Sequence, residues 1–234
     1  MRVLFLRHAE RVYPYNLEAP LAADGLCADT VAFPLGQRPA QPSAYAAVFV
    51  FGGYQSVNDG GLSWLRDERT YLEAVLKARV PVLGLCLGGQ LLAQVLGASV
   101  RRADPEEFGW WDMELTPAGA ASPLFRGVAP SFPAFLWHNE SFDLPAGAEL
   151  LARGAHWGNQ AFAYGGRAFG AQFHVEFTLE HVRAMLRDDA DQLPARGPAW
   201  QDPALVAANQ PAADSAAATM LGMARNVIRL GGED

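Results

Sequence analysis

The sequence has little cysteine, with Cys27 and Cys86 the only two in 234 residues. Two such residues cannot build a disulfide framework, and reduced thiols are expected. It has no lysine- or arginine-rich block, and its formal net charge is -7. The electrostatic footprint of nucleic-acid or anionic-lipid binding is therefore missing, and neither nucleic acid nor membrane is an expected partner. A long apolar run is also lacking at the start. Residues 1–6 are largely apolar, but Arg7, His8, Glu10 and Arg11 follow at once, which is too short for a signal-peptide core or a membrane span. These absences predict a cytoplasmic protein. There is no internal repeat. What is present is apolar mass, 50% of the residues, enough to bury a substantial core in one domain spanning 1–234.

Residues 2–7, 46–51 and 81–85 are short apolar runs ended by polar residues or glycine, which reads as strands. Between the last two, residues 64–79 carry Leu65, Tyr71, Leu72, Val75 and Leu76 near helical spacing, and residues 88–96 form a second amphipathic helix. Strands alternating with helices predict an α/β fold with a mostly parallel central sheet covered on both faces, whose sites collect at the carboxyl ends of the strands. From 101 to 168 the pattern changes to short β-like pieces, at 111–115, 134–137 and 149–152, a small additional β region. Residues 170–174 read as another buried strand. Residues 193–215, rich in Pro, Ala and Gln, read as a loop before a final helix over 216–230.

The most informative stretch is Val82-Leu-Gly-Leu-Cys-Leu-Gly-Gly-Gln-Leu-Leu-Ala93, a strand that runs through a glycine-flanked turn into a helix. That is the pattern of a nucleophile elbow. Cys86 would sit just before the helix, where unpaired N–H groups and the macrodipole favour a thiolate, and the Leu87 N–H would be free to bind an oxyanion. Without the glycines, Cys86 would read as a buried structural thiol. A second oxyanion donor is expected at another strand end, and Phe51-Gly-Gly-Tyr-Gln-Ser-Val-Asn-Asp59 offers Gly53. The same stretch also reads as an ordinary loop with Ser56 or Asn58 capping a helix.

A thiol nucleophile needs a base that later serves as an acid, and the chain has five histidines. His174 ends an apolar run, and Glu176 follows two residues on. In extended backbone both side chains point to one face, where a carboxylate orients the imidazole and stabilises its cation. His138, in Leu136-Trp-His-Asn-Glu-Ser-Phe-Asp143, competes for the role of base and otherwise reads as pocket wall. His8, in Leu6-Arg-His-Ala-Glu10, mimics a phosphohistidine motif, but that reading leaves Cys86 unexplained. His156 and His181 read as surface or structural.

With these motifs in order, the sequence resembles the class I glutamine amidotransferases, in particular their GMP synthase-like stand-alone branch. The resemblance covers about residues 1–185. It rests on Gly52-Gly53 with Ser56-Val-Asn-Asp59, Gly84-Leu-Cys-Leu-Gly-Gly-Gln90, Trp137-His138 with Phe142-Asp-Leu-Pro145, Asn159-Gln-Ala-Phe162 and Gln172-Phe-His-Val-Glu176. It implies a flavodoxin-like fold, a catalytic triad of Cys86, His174 and Glu176, a γ-glutamyl thioester on Cys86, and no metal or organic cofactor. It also implies a glutamine pocket formed by Gly52, Gln90, His138, Asn139 and Glu140. Three positions depart from the family pattern: Tyr54 stands where a proline usually follows the glycine pair, Val175 where a proline separates His and Glu, and Asn139-Glu140 where Gly-Asp follows Trp-His. The last falls where substrate contacts are expected. No ATP-binding domain is appended, so ammonia released from glutamine would go to a separate synthetase or acceptor subunit. Alternatively, the same triad would act as a γ-glutamyl peptidase or amide hydrolase without an acceptor, or the fold would serve only for binding.

Overall fold

A computed structural model describes residues 1–234 except 10, 11, 13–15, 195, 233 and 234. The strands are β1 (Arg2–Leu6), β2 (Cys27–Val31), β3 (Ala47–Val50), β4 (Val82–Leu85), β5 (Val100–Leu115), β6 (Ser131–Phe142), β7 (Glu149–Arg153), β8 (Ala161–Tyr164) and β9 (Ala168–Ala171). Among the described residues they form one nine-stranded sheet in the order β2-β1-β3-β4-β9-β8-β7-β5-β6. The ladders from β2 to β9 are parallel. Those from β9 through β8 and β7 to β5 and β6 are antiparallel. The additional β region is thus an extension of the parallel sheet.

The central strands are buried on both faces, which is why they read as unbroken apolar runs. Alternate residues go to opposite sides. Val3, Phe5, Phe49 and Leu83 face a core completed by helices α1 (Glu18–Ala23), α5 (Leu179–Asp188) and α7 (Gln210–Leu230). Leu4, Leu6, Val48, Val50 and Val82 face α2 (Ser63–Lys77) and α3 (Leu87–Val95). The short α4 (Pro117–Ala121) follows β5. The Phe5 ring meets those of Phe49 and Phe51 edge-on, at centroid distances of 5.7 and 5.4 Å. Each fully buried aromatic of this kind contributes about 1.5–3 kcal/mol through area burial.

Several sequence expectations need correction. The stretch 193–215 is not one loop, because it contains α6 (Pro203–Ala208) and the first turns of α7. Pro203 and Pro211 read as breakers but stand at helix starts, each behind a polar cap. Asp202 accepts from the Ala204 N–H at 2.8 Å and Asn209 from the Ala212 N–H at 3.2 Å. Pro203 and Pro211 fill first-turn positions, where no N–H is needed. The β-like pieces at 111–115 and 134–137 are parts of the long hairpin β5–β6. β9 ends at Ala171, and His174 makes only an isolated bridge with Phe135. β2 was unreadable because its residues, Cys-Ala-Asp-Thr-Val, form a mostly exposed edge strand without apolar alternation. Neither Ser56 nor Asn58 caps a helix: α2 starts at Ser63 and its N-cap, Leu62, makes no side-chain bond.

Candidate active site

The carboxyl ends of β1, β3 and β4, with the segment after β9, converge on one pocket. Cys86 lies between β4 and α3 with φ 51° and ψ -110°. A non-glycine residue in this region is strained, and such strain is stored where the surrounding structure dictates it. Here the surroundings do so. The Cys86 N–H is fixed on the Ala171 carbonyl at 2.8 Å, and its carbonyl accepts from the Gln90 N–H at 2.9 Å. Helix α3 packs so tightly on β3 that a Cβ at Gly88 would lie 2.1 Å from the Val50 carbonyl oxygen. The thiol is buried but lines the pocket.

His174 and Glu176 meet as the two-residue spacing requires. His174 Nδ1 lies 2.6 Å from Glu176 Oε1, and Glu176 Oε2 accepts from the Val175 N–H at 2.9 Å. The His174 backbone is clamped to Phe135 by reciprocal bonds of 2.8 and 2.9 Å, and its ring stacks on Phe177 at 4.4 Å. Burial works against a charge on His174, but the Glu176 carboxylate and then Cys86, as charge and hydrogen-bond partner, outweigh it and push its pKa up to about 10. The imidazole is thus held as a cation beside the thiol at neutral pH.

Gly52 borders this pair: a Cβ there would lie 2.8 Å from His174 Cε1 and 3.6 Å from Cys86 Cβ. Gly53 and Leu87 both line the pocket, and a Cβ on Gly53 would lie 2.7 Å from Leu87 Cδ2, so turn and helix start touch. Among the described residues nothing accepts a hydrogen bond from the backbone N–H of either.

The remaining expected residues form a polar wall. Gln90 Nε2 donates to the Glu140 carbonyl at 2.9 Å and to Gln172 Oε1 at 3.2 Å. His138 Nδ1 lies 3.0 Å from that same carbonyl, while Nε2 lies 2.8 Å from Glu107 Oε2. This pairing occupies both His138 nitrogens, whereas His174 keeps Nε2 for the thiol side. Asn139 is exposed at the mouth. Glu140 Oε1 accepts from Asn58 Nδ2 at 3.2 Å, and Asn58 Oδ1 accepts from Gln94 Nε2 at 2.8 Å.

Three features were not assigned from sequence. Gln172, in the bend that follows β9, donates to Cys86 Sγ at 3.8 Å. Gln192 and Pro194, with Met185 at the end of the expected match, bring the region after it into the pocket. Trp137 Nε1 donates to the Gln192 carbonyl at 3.4 Å and Tyr54 Oη to Asp189 Oδ2 at 3.1 Å, contacts that no sequence spacing forecasts. The third is His8, which is wholly buried against Glu68 and the glycine turn; Glu10 of its motif lies outside the described residues. His156 packs edge-on against Trp111, and His181 belongs to the first turn of α5. No group of three or more potential metal ligands occurs among the described residues, and no described helix is long and apolar enough to cross a membrane.

The sequence profile of the class I glutamine amidotransferases matches residues 15–193. A glutamine amidotransferase-like protein of Salmonella typhimurium, YfeJ, is 30% identical over 164 residues, 66% of this chain and 66% of that protein. A glutamine-hydrolysing GMP synthase subunit of Sulfolobus acidocaldarius is 35% identical over 131 residues, 54% of this chain and 65% of that one. The match thus spans slightly under two thirds of the length of these relatives. The crystal structure of a glutamine amidotransferase from Thermotoga maritima superposes with a TM-score of 0.87 at 29% identity, covering 97% of this chain and 98% of that one. Profile, relatives and structural neighbour agree: the chain belongs to the class I glutamine amidotransferase family.

Proposed function

We propose that this chain hydrolyses the side-chain amide of glutamine through a γ-glutamyl thioester on Cys86, releasing ammonia for an acceptor. The observation that carries this reading is a buried cysteine at a strained elbow, sharing one pocket with a histidine that a buried carboxylate keeps cationic. The Cys86 thiolate attacks the amide carbon, and the N–H groups of Gly53 and Leu87 hold the oxyanion that forms, a contribution of about 3–4 kcal/mol per donor where one has been removed elsewhere. His174 gives its proton to the nitrogen, the C–N bond breaks and ammonia leaves. Neutral His174 then takes a proton from water, which attacks the thioester. Glutamate departs, the thiolate is restored, and His174 is again a cation held by Glu176.

At the amino-acid end, both N–H bonds of the Gln90 carboxamide are taken by protein acceptors, so its oxygen is the atom offered to the substrate ammonium. Glu140 adds a carboxylate tied to Asn58, with Gly52, His138 and Asn139 completing the wall. The chemistry uses no metal or organic cofactor and belongs in the cytoplasm, where a thiol stays reduced. The relative named as one subunit of a GMP synthase supports a separate partner that carries the acceptor site.

A second reading, hydrolysis of γ-glutamyl peptides or amides by the same triad, is favoured by the apolar side of the pocket. Trp137, Phe177, Met185 and Pro194 line it, and departing ammonia needs no such wall. The test is labelling of Cys86 by a glutamine-analogue electrophile, read by mass spectrometry, with kcat/KM for glutamine and for γ-glutamyl peptides. Stoichiometric labelling at Cys86 that glutamine protects against and His174→Ala slows is the expected result. An unlabelled Cys86 that a general thiol reagent still modifies would exclude the glutamine pocket.

A further inference from the structure

A buried ion pair that takes no part in these steps holds the Gly52–Gly53 turn from below. His8 Nδ1 lies 3.0 Å from the carbonyl oxygens of both Phe51 and Gly52, and Nε2 lies 2.9 and 3.0 Å from the two oxygens of Glu68. All four partners are acceptors, so a satisfied ring must donate from both nitrogens, which only the imidazolium does. Both side chains of the pair are fully buried. Trp64 covers the His8 ring at 5.4 Å with 26° between planes. Burial opposes the charge, but Glu68 and the two carbonyls outweigh it and raise the His8 pKa. Such a pair is a poor device for stability alone, because desolvating two charges offsets most of their attraction and apolar side chains of similar volume do as well.

Its placement suggests another use. The carbonyl and N–H of a trans peptide point in opposite directions. With the Gly52 carbonyl drawn onto His8, the Gly53 N–H of the same peptide must face away from His8. Gly53 lines the pocket together with Cys86 and Leu87. Two consecutive glycines offer little resistance to a peptide flip, and a flip would present a carbonyl, an acceptor, where an oxyanion needs a donor. It would also take one acceptor from the His8 cation.

We propose that His8, paired with Glu68, is a positioning residue that locks the Gly52–Gly53 peptide with its N–H toward Cys86, so that the oxyanion site is preformed and the chain turns over without a partner subunit. This rests on the reading of Gly53 and Leu87 as oxyanion donors. The test measures hydrolysis of glutamine and of γ-glutamyl-p-nitroanilide by the full chain alone, beside alkylation of Cys86 by iodoacetamide, which needs the thiolate but no oxyanion donor. The variants are His8→Leu with Glu68→Leu, which removes the buried charges together and preserves packing, and His8→Asn with Glu68→Gln, in which the asparagine amide can reproduce the bond from Nδ1.

The expected result is that wild type turns over unaided. In the leucine pair kcat falls on the order of 100-fold with KM and the alkylation rate unchanged, and the Asn/Gln pair recovers a large part of the loss. An unchanged kcat in the leucine pair overturns the proposal, as does an equal fall in alkylation or no recovery with Asn/Gln. A wild type that becomes active only when a partner subunit is added also overturns it. A wild type inert on both substrates under all conditions, with Cys86 still alkylated, overturns the proposed function itself, and its inactivity tells that failure apart from the others.

Discussion

At the scale of single residues, the proposed chemistry depends on one protonation state. His174 keeps its proton because Glu176 and Cys86 prevail over burial. Replacing Glu176 by Gln keeps the shape but removes the charge, so the His174 pKa should fall and kcat should drop by about 10²–10⁴-fold, by analogy with the orienting carboxylate of hydrolase triads. A pH–rate profile with histidine NMR titration would check both. The same shift has a consequence for stability. A histidine whose folded pKa, about 10, lies above its unfolded value stabilises the fold fully below about pH 6.5 and loses that contribution as pH rises through 10. Urea midpoints between pH 6 and 10 should therefore decline less in His174→Gln than in wild type. A steeper decline in the variant would show that the histidine is not a cation in the fold.

At the scale of elements, the site depends on how closely α3 can approach the sheet. A methyl group at residue 88 would lie 2.1 Å from a backbone carbonyl of β3, and backbone cannot yield as a side chain can. Gly88→Ala should cost about 3 kcal/mol or more and displace Cys86, so both the urea midpoint and Cys86 labelling should drop. A stable, fully labelled variant would contradict this packing. By contrast, Asn209 contributes mainly one cap to the long α7. Asn209→Ala should lower stability by about 1 kcal/mol and leave labelling of Cys86 intact, as chemical denaturation beside the labelling assay would record.

At the scale of the whole molecule, the pocket is closed by chain distant from the elbow. Tyr54 and Trp137 tie the segment around Asp189 and Gln192 across the mouth. Tyr54 also stands where the family pattern has proline, so the residue that departs from the pattern makes one of these contacts. Tyr54→Phe removes the bond to Asp189 and should raise KM several-fold with little change in kcat, because the cover contributes to binding rather than to the reacting atoms. Steady-state kinetics with glutamine and a γ-glutamyl peptide would show whether the effect is larger for the bulkier substrate, as the apolar wall requires.

Much of this molecule was legible in its sequence because the information was local. Buried parallel strands are continuous apolar runs, an elbow is a cysteine between glycines where a strand meets a helix, and His174 and Glu176 stand two residues apart. Those signals need only the periodicity and sterics of neighbouring residues. What only the tertiary structure decided involved partners far apart in sequence. His8 looked like half of a phosphohistidine motif until Glu68 and the Phe51 and Gly52 carbonyls surrounded it. His138 read as a competing base, and only the fold shows that Glu107 and the Glu140 carbonyl take up both of its ring nitrogens. Pro203 and Pro211 looked like loop until the caps before them showed where helices began, and the place of Gln192 and Pro194 in the pocket wall had no sequence signal at all. A hydrogen bond fixes a side chain's role through its partner, and partners separated by 31, 60 or 135 residues become neighbours only once the sheet has ordered its strands.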